Sequence, residues 1–206
     1  MRIFQIGFND CGEASIAHLL HKSGVRTLYG PGRYWHLQGH PAVARRNVQR
    51  IIARNIDEGR PAIASFEDFQ AFCGMEFAQN GWVIENFRHF ATLAEEHRDA
   101  LFILNTCDSD DWLARRIARD DGLYLDDAMQ RTGMSRRGML NLWRDDFHRH
   151  HAMVREYFYA RPKALFEFDI ARHNAKDLAR FLRPAARVWP RFYRAAAPLP
   201  SARHAA

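Results

Sequence analysis

Short apolar segments recur along the chain, and a stretch with helical spacing of its apolar residues follows each of them. They comprise residues 3–8, 25–29, 62–64, 100–104 and 164–170. Leu101–Leu104 is apolar at every position, whereas a strand with one face in water alternates apolar and polar residues. Strands that are apolar on both faces belong to parallel sheets covered by helices on either side. The sequence therefore predicts a three-layer α/β/α fold around a mostly parallel sheet of five strands.

The intervening segments have the apolar periodicity of amphipathic helices. In residues 12–22, for example, Ile16, Leu19 and Leu20 fall on one face, and Ser23-Gly24 ends the segment. Helices are predicted over residues 12–22, 43–57, 81–97, 110–119 and 135–160, and a last one, capped by Asn174 or Asp169, extends through Leu182. Strands and helices alternate without an internal repeat, which favours one α/β domain.

Residues 1–183 are predicted to form this domain and residues 184–206 a basic C-terminal arm. From Ala195 onward the arm is rich in Ala, Pro and Ser, a composition typical of a disordered tail. No apolar run reaches the ~20 residues that cross a bilayer, and the N-terminus lacks the apolar segment of a signal peptide. We therefore expect no membrane partner and a cytoplasmic location.

The charge balance is basic, with 30 Lys and Arg residues against 24 Asp and Glu residues and a net charge of +6. Most of the basic residues are arginine, which suits an anionic ligand but is also what a GC-rich genome produces. Five arginines lie between Arg183 and Arg203 without an acidic residue among them, so much of the excess belongs to the arm. The sequence thus predicts no nucleic-acid partner.

The segment Gly7–Ser15 lies between the first predicted strand and the first predicted helix, and it reads Gly-Phe-Asn-Asp-Cys-Gly-Glu-Ala-Ser. At such a turn, backbone N–H groups and the positive end of the helix converge on an anion. Because Gly12 has no side chain, it would allow the anion to approach the backbone closely. A glycine and a serine after a strand occur in many α/β domains, so this pattern has little specificity by itself.

Together with further segments, this loop resembles the bacterial PAPS-dependent sulfotransferases. These P-loop-like proteins bind 3′-phosphoadenosine 5′-phosphosulfate (PAPS) at a loop that reads roughly G-F-N-K-C-G-T-T-S. Residues 101–106, 108 and 110–113 are similar to the family signature L-N-T-R-D-x-D-x-W-L. Other similar segments follow in the family's order at residues 58–61, 66–69, 154–158, 161–162, 165 and 168–170. The resemblance spans Ile3 to about Leu182, and it implies a P-loop sulfotransferase-like fold and transfer of a sulfuryl group from PAPS to a hydroxyl or amine acceptor.

At the donor-binding positions that the resemblance implies, the charges depart from the family's. Asp10 stands in place of the loop lysine, and Glu13 and Ala14 in place of the two threonines that hold the 5′-phosphate. Cys107 and Arg115 replace the arginine and the serine of the 3′-phosphate site. The full set of family positions is Gly7, Asn9, Asp10, Cys11, Gly12, Glu13, Ala14, Ser15, Cys107 and Arg115.

These changes make the predicted anion site more acidic. We therefore expect binding of PAPS, and of its desulfated product PAP, to be lost or altered. Two interpretations stay open. The chain is either a sulfotransferase with altered donor binding or a non-catalytic pseudoenzyme that binds a small molecule or a protein.

A transferase needs a general base to deprotonate its acceptor. His40 and Glu67 are the candidates, because their segments are expected near the open end of the sheet. The acceptor is a small molecule that the sequence does not identify, and a homo-oligomer remains open.

Three histidines, His148, His150 and His151, fall on the predicted long helix. Residues at i and i+3 share a helix face, so His148 and His151 could bind a metal ion together with Asp145. A solvated helix face is the favoured interpretation, and no metal is predicted.

Cys11 and Cys107 directly follow the first and the fourth predicted strands. In a P-loop-like sheet the ends of these strands adjoin, so we expect both thiols at the same edge of the sheet. A redox pair or a nucleophilic thiol is one interpretation, because helix N-termini stabilise thiolates. The favoured interpretation is that Cys11 packs inward and Cys107 fills the place of the family's arginine. With Cys73 the chain has three cysteines and no CxxC spacing, which predicts neither a disulfide framework nor a zinc knuckle.

Overall fold

The computed structural model describes residues 1–30, 47–79 and 82–194. Five strands form an all-parallel sheet, and they are β1 (Ile3–Gln5), β2 (Thr27–Tyr29), β3 (Ala71–Cys73), β6 (Leu101–Thr106) and β7 (Leu165–Asp169). Their order across the sheet is β2-β3-β1-β6-β7. A separate antiparallel pair consists of β4 (Glu76–Gln79) and β5 (Trp82–Glu85). The predicted α/β class with a parallel five-stranded sheet is confirmed.

Helices cover both faces of this sheet. They are α1 (Glu13–Lys22), α2 (Val48–Asp57), α3 (Phe90–Glu96), α4 (Ser109–Ala118), α5 (Leu123–Thr132), α6 (Arg136–Phe158) and α7 (Ala175–Leu182). Buried residues of α1 and α7 belong to one core layer, whereas those of α2 to α6 belong to the other. The arrangement is the predicted three-layer one.

Strand β6, an inner strand of the sheet, shows why the sheet is buried on both faces. All six of its residues are buried. Phe102 and Leu104 belong to the core layer of α2 to α6, and Leu101 and Ile103 to the layer of α1 and α7. Alternate side chains of a strand point to opposite faces, so a continuous apolar run supplies both layers.

The segment Ala62–Ala64 is not a strand, and its prediction as one is wrong. It forms turns in which the Ala64 N–H donates to the Pro61 carbonyl at 3.0 Å. The side-chain amide of Asn55 donates to the carbonyls of Ala62 and Ala64. Ala71–Cys73 is the strand instead. Three apolar residues bury equally well in a turn, so periodicity cannot separate the two cases.

The predicted helix over residues 81–97 is wrong in its first part. Trp82–Glu85 is strand β5, paired with β4, and a short 3₁₀ turn at Asn86–His89 leads into α3. Trp, Val and Ile favour strands, and the segment that contains them pairs with strand β4. Helix α5 had no counterpart among the predicted elements. The helices predicted over residues 12–22, 110–119 and 135–160 are confirmed within one or two residues at each end. Of the two caps predicted for the last helix, Asn174 rather than Asp169 precedes α7.

Within the described residues the arm packs against the domain. The Trp189 backbone N–H donates to Ser23 Oγ at 2.9 Å, and the Gln70 side-chain amide donates to the Ala185 carbonyl at 2.8 Å. Val188 is buried in the core layer of α1 and α7. The expected disordered tail, from Ala195, lies outside the described residues, as does the start of the helix predicted from Val43. Among described helices none is both long and apolar enough to cross a membrane.

Candidate functional site

The loop between β1 and α1 lies at the carboxyl edge of the sheet. β1 and β6 are neighbours, but the chain leaves them toward opposite faces, with α1 packed in one core layer and α4 in the other. In parallel α/β sheets, ligands bind where adjacent strands diverge in this way. The point of divergence therefore coincides with the predicted anion-binding turn.

Asn105, near the end of β6, organises the main chain of this loop. Its Nδ2 donates to the carbonyl of Phe8 at 2.8 Å and to that of Cys11 at 3.0 Å. Its Oδ1 accepts from the Gly7 N–H at 3.1 Å and from Nε2 of Gln5. The Asn105 side chain thus fixes the main chain of the loop and has a structural role at the site.

Two residues of the loop have left-handed backbone conformations. Asp10 has φ 69° and Gly12 has φ 81°. A Cβ atom on Gly12 would lie 2.8 Å from Cγ2 of Ile170, so that position requires glycine for space as well as for conformation. Asp10 tolerates the left-handed region because short polar side chains adopt it more readily than others.

A buried carboxylate already occupies the start of α1. Glu13 is 9% exposed, and Tyr29 donates its hydroxyl hydrogen to Glu13 Oε1 at 3.4 Å. Burial and the nearby Asp10 raise the pKa of Glu13 from 4.5 to about 7, although its own backbone N–H donates to the carboxylate and lowers it. The start of the helix is therefore occupied by a carboxyl group of the chain itself, and burial disfavours its ionised form.

Asp10 adds a second carboxylate beside the first. Burial and the charge of Glu76 raise its pKa, whereas Arg119 lowers it. The closest cation is Arg119 Nη1, 3.9 Å from Asp10 Oδ2. That guanidinium is bound more closely by Glu76 Oε1, at 2.7 Å. Asp10 consequently adds negative charge to the loop that its neighbouring arginine only partly offsets.

Arg116 binds the buried carboxylate of Glu76, which lies beneath the loop. It is 2% exposed, with Nη1 3.5 Å from Glu76 Oε2 and Nη2 donating to the Tyr124 hydroxyl at 2.8 Å. Its guanidinium also lies within 6 Å of the ring centroids of Phe8, Trp112, Tyr124 and Trp143. Burial tends to raise the pKa of Glu76, but Arg116 and Arg119 outweigh it and lower that pKa. The Arg116 guanidinium thus interacts with Glu76 and with the four aromatic rings rather than with a ligand.

Cys11 and Cys107 meet at this edge of the sheet, as predicted. Their Sγ atoms are 2.8 Å apart, and both residues are buried. Arg115 Nη1 donates to Cys107 Sγ at 3.4 Å. The predicted 3′-phosphate positions, Cys107 and Arg115, therefore contact each other.

A cleft of about 410 Å³ opens beside Cys107, at the carboxyl ends of β6 and β7. Its lining includes Ser109, His151, Glu167 and Arg172. This cleft is the approach from solvent to Cys107.

Of the two predicted general bases, Glu67 does not lie at this site. Glu67 lies four residues before β3, at the amino edge of the sheet, where its carboxylate accepts from the Ser65 N–H at 3.0 Å. The structure therefore separates Glu67 from the loop, because parallel strands place their starts and ends at opposite edges. His40 lies outside the described residues.

The solvated helix face predicted for the histidines is wrong for two of them. His150 and His151 are each 2% exposed, and only His148 is exposed. His150 Nε2 hydrogen-bonds the Ile6 carbonyl at 2.7 Å, and burial lowers its pKa to about 4, so the ring is neutral. His148 and His151 both line the cleft beside Cys107, but only His148 is exposed to solvent. In the described ranges no group of three metal-ligating side chains is found.

The sequence analysis missed the charged residues beneath the loop, Glu76, Arg116 and Arg119. For Arg116 a signal was present, since it follows Trp112 by four residues and so shares the buried face of α4. For Glu76 there was none, because β4 was not predicted.

The positions that the resemblance assigns to a 5′-phosphate site do not suit a phosphate. The carboxylates of Asp10 and Glu13 stand where cationic and hydroxyl groups would be needed, and both are at least partly buried. No protein-family model matches this chain, and no curated protein does.

Proposed function

We propose that this chain is a sulfotransferase-like protein that does not bind PAPS in the family's manner and acts as a binding module rather than as a transferase. The observation that carries the proposal is the buried carboxylate of Glu13 at the start of α1, with Asp10 next to it. An anion of the chain itself takes the interactions that a phosphate would need.

Electrostatic repulsion by the loop carboxylates would weaken phosphate binding strongly. Two like charges about 4 Å apart repel by about 4 kcal/mol at an effective dielectric of about 20. That energy corresponds to roughly three powers of ten in affinity. Sulfuryl transfer, like phosphoryl transfer, also needs cations around the charge that develops at the bridging oxygen. Asp10 cannot supply one.

An active transferase with an altered donor site is the second candidate. It is favoured by Arg115, whose Nε is buried without a hydrogen-bond partner in the described part of the chain. A guanidinium at this place could hold a phosphate if it left Cys107. The acceptor, in either case, is a small molecule of unassigned structure, and a homo-oligomer stays a proposal.

Calorimetric titration of the full chain with PAP distinguishes the two. A binding module should show no heat of binding at micromolar PAP. The same titration with inorganic sulfate measures any anion binding that does not depend on the nucleotide. Micromolar binding of PAP to the unmodified chain would overturn the proposal and favour the transferase.

A further inference from the structure

Two thiols from distant parts of the chain are in contact at the carboxyl edge of the sheet. Cys11 and Cys107 are 96 residues apart in the chain, and their sulfurs are 2.8 Å apart. A disulfide joins sulfurs at about 2.05 Å, so a small side-chain rotation would bring these atoms to bonding distance. Cys73 lies on β3 in the core layer of α1 and α7. The third thiol is therefore an internal reference.

Cys107 is placed to ionise. Its sulfur accepts a hydrogen bond from Arg115 Nη1 at 3.4 Å. The hydrogen bond from Cys11 and the positive charge of Arg115 lower the pKa of Cys107, although burial and Asp111 oppose them. A thiolate is the nucleophilic form of cysteine, and a neighbouring arginine is a known means of stabilising it.

Cys11 differs in both exposure and charge environment. It is 0% exposed, and burial raises the pKa of its thiol well above the usual value. The neighbouring Cys107, Glu13 and Asp10 raise it further. The pair is thus asymmetric, because the Cys107 thiol ionises more readily than the Cys11 thiol.

Access is asymmetric in the same direction. Cys107 lines the cleft of about 410 Å³, whereas Cys11 does not. A small hydroperoxide in the cleft would therefore meet Cys107 first. The lining also offers the Ser109 hydroxyl and the Arg172 guanidinium as polar groups.

We propose that Cys107 and Cys11 form a reactive dithiol that reduces a hydroperoxide and is oxidised to a disulfide. Cys107 thiolate attacks one oxygen of the peroxide, the O–O bond breaks, and the leaving oxygen takes a proton and departs as water or an alcohol. Cys107 is then a sulfenic acid. Cys11 loses its proton and attacks the Cys107 sulfur, the S–O bond breaks, and the hydroxyl departs with that proton as water. Two thiols lose two electrons, which the peroxide gains.

The disulfide would join the loop after β1 to the end of β6. Asn105 already binds the Cys11 carbonyl from the same strand, so the bridge would reinforce an existing contact. The inference does not depend on the proposed function, because neither PAPS nor an acceptor takes part in it.

Thiol counting after oxidation tests the proposal. The reduced full chain is treated with hydrogen peroxide, denatured and titrated for free thiols. We expect the count to fall from three to one, with Cys11 and Cys107 joined in a single cross-linked peptide by mass spectrometry. Dithiothreitol should restore all three thiols.

Variants identify the role of each group. Cys107→Ser should lose rapid peroxide consumption, and Cys11→Ser should retain it but stop at a sulfenic acid that dimedone traps. Arg115→Gln should slow the reaction of Cys107 about threefold to tenfold at neutral pH and raise the pH midpoint of its alkylation. Arg54→Gln, which alters an exposed arginine on α2, is the matched control and should leave the rate unchanged.

Several results would overturn the inference. They are retention of all three thiols, a bridge that includes Cys73, and peroxide consumption by Cys107→Ser at the rate of the unmodified chain. If Cys11→Ser does not fold, dimedone trapping during oxidation of the unmodified chain identifies the residue that is attacked. Trapping on Cys11 rather than on Cys107 contradicts the assignment.

Discussion

The main chain of Gly7 passes so close to Asn105 that no side chain fits between them. A Cβ atom on Gly7 would overlap both the carbonyl oxygen and Oδ1 of Asn105, while the Gly7 N–H donates to that Oδ1 at 3.1 Å. The loop after β1 is thereby held against β6. This contact determines how the candidate site is supported.

Gly7→Ala should consequently destabilise the chain by about 2–3 kcal/mol, because the methyl group forces the loop away from β6. Urea denaturation measures the loss. Gly138→Ala is the matched control, since a Cβ there would lie 3.4 Å from Ser135 Oγ within helix α6. This change should be neutral or stabilise the chain by up to about 1 kcal/mol. Equal stability of the Gly7→Ala variant and the unmodified chain would show that the contact is looser than described.

Glu13 makes the stability depend on pH. Its pKa is about 7 in the folded chain, mainly because of burial, against an ordinary value of 4.5. Between these values the folded chain holds a proton that the unfolded chain has lost, so stability is lost as the pH rises from about 4.5 to 7. Glu13→Gln removes this loss. The difference in the free energy of unfolding between Glu13→Gln and the unmodified chain should therefore shift in favour of the variant between pH 4 and pH 8. The expected shift is up to about 3 kcal/mol.

Denaturation curves at both pH values measure this gain. Glu95→Gln, on the exposed side of α3, is the matched control, and its effect should differ by less than about 0.5 kcal/mol between the two conditions. A Glu13→Gln effect that is the same at both pH values would contradict the burial of an ionised carboxylate at the start of α1.

The pair of Arg116 and Glu76 should be strongly coupled. Arg116→Met leaves the Glu76 carboxylate buried with only Arg119 to neutralise it, and we expect a cost of about 3–5 kcal/mol. Arg116→Met combined with Glu76→Gln should cost less than the sum of the single changes. A double-mutant cycle in urea measures the coupling. Additive effects would mean that the two side chains act independently.

Rebuilding the family's charges should restore donor binding. The variant Asp10→Lys, Glu13→Thr, Ala14→Thr, Cys107→Arg and Arg115→Ser removes both loop carboxylates and, since it adds two cations and removes Arg115, supplies one further cation net. We expect PAP binding by calorimetry, because the turn at Gly12 is already in place and Glu13→Thr frees the backbone N–H that donates to the Glu13 carboxylate. Asp10→Lys alone should recover little, since all these groups share one ligand.

The matched control is again Arg54→Gln, which should bind no more PAP than the unmodified chain does. A folded fivefold variant that ignores PAP at millimolar concentration would mean that the loop geometry has diverged. In that case the resemblance would apply to the fold alone.

Local sequence determined the scaffold of this protein. The apolar run of β6 predicts a strand buried on both faces, and such strands occur in parallel sheets covered by helices. Because parallel strands end at one edge, the same reasoning placed the loop after β1 and the residue after β6 together. The meeting of Cys11 and Cys107 at that edge was predicted from their positions after the first and fourth strands together with the strand order of a P-loop-like sheet. These features depend on short-range patterns and on a few rules of topology.

Tertiary packing decided the rest. Three apolar residues at 62–64 form turns because Asn55 binds their carbonyls, and residues 82–85 form a strand because β4 offers a partner. The burial of Glu13 and the ion pairs of Arg116 depend on side chains that come from separate elements. A charge pattern along the chain cannot show which charges lose their water, since desolvation is set by neighbours that only the folded structure brings close. For the same reason the sequence could predict acidic residues at this anion site but not that Glu13 would be buried there with a raised pKa.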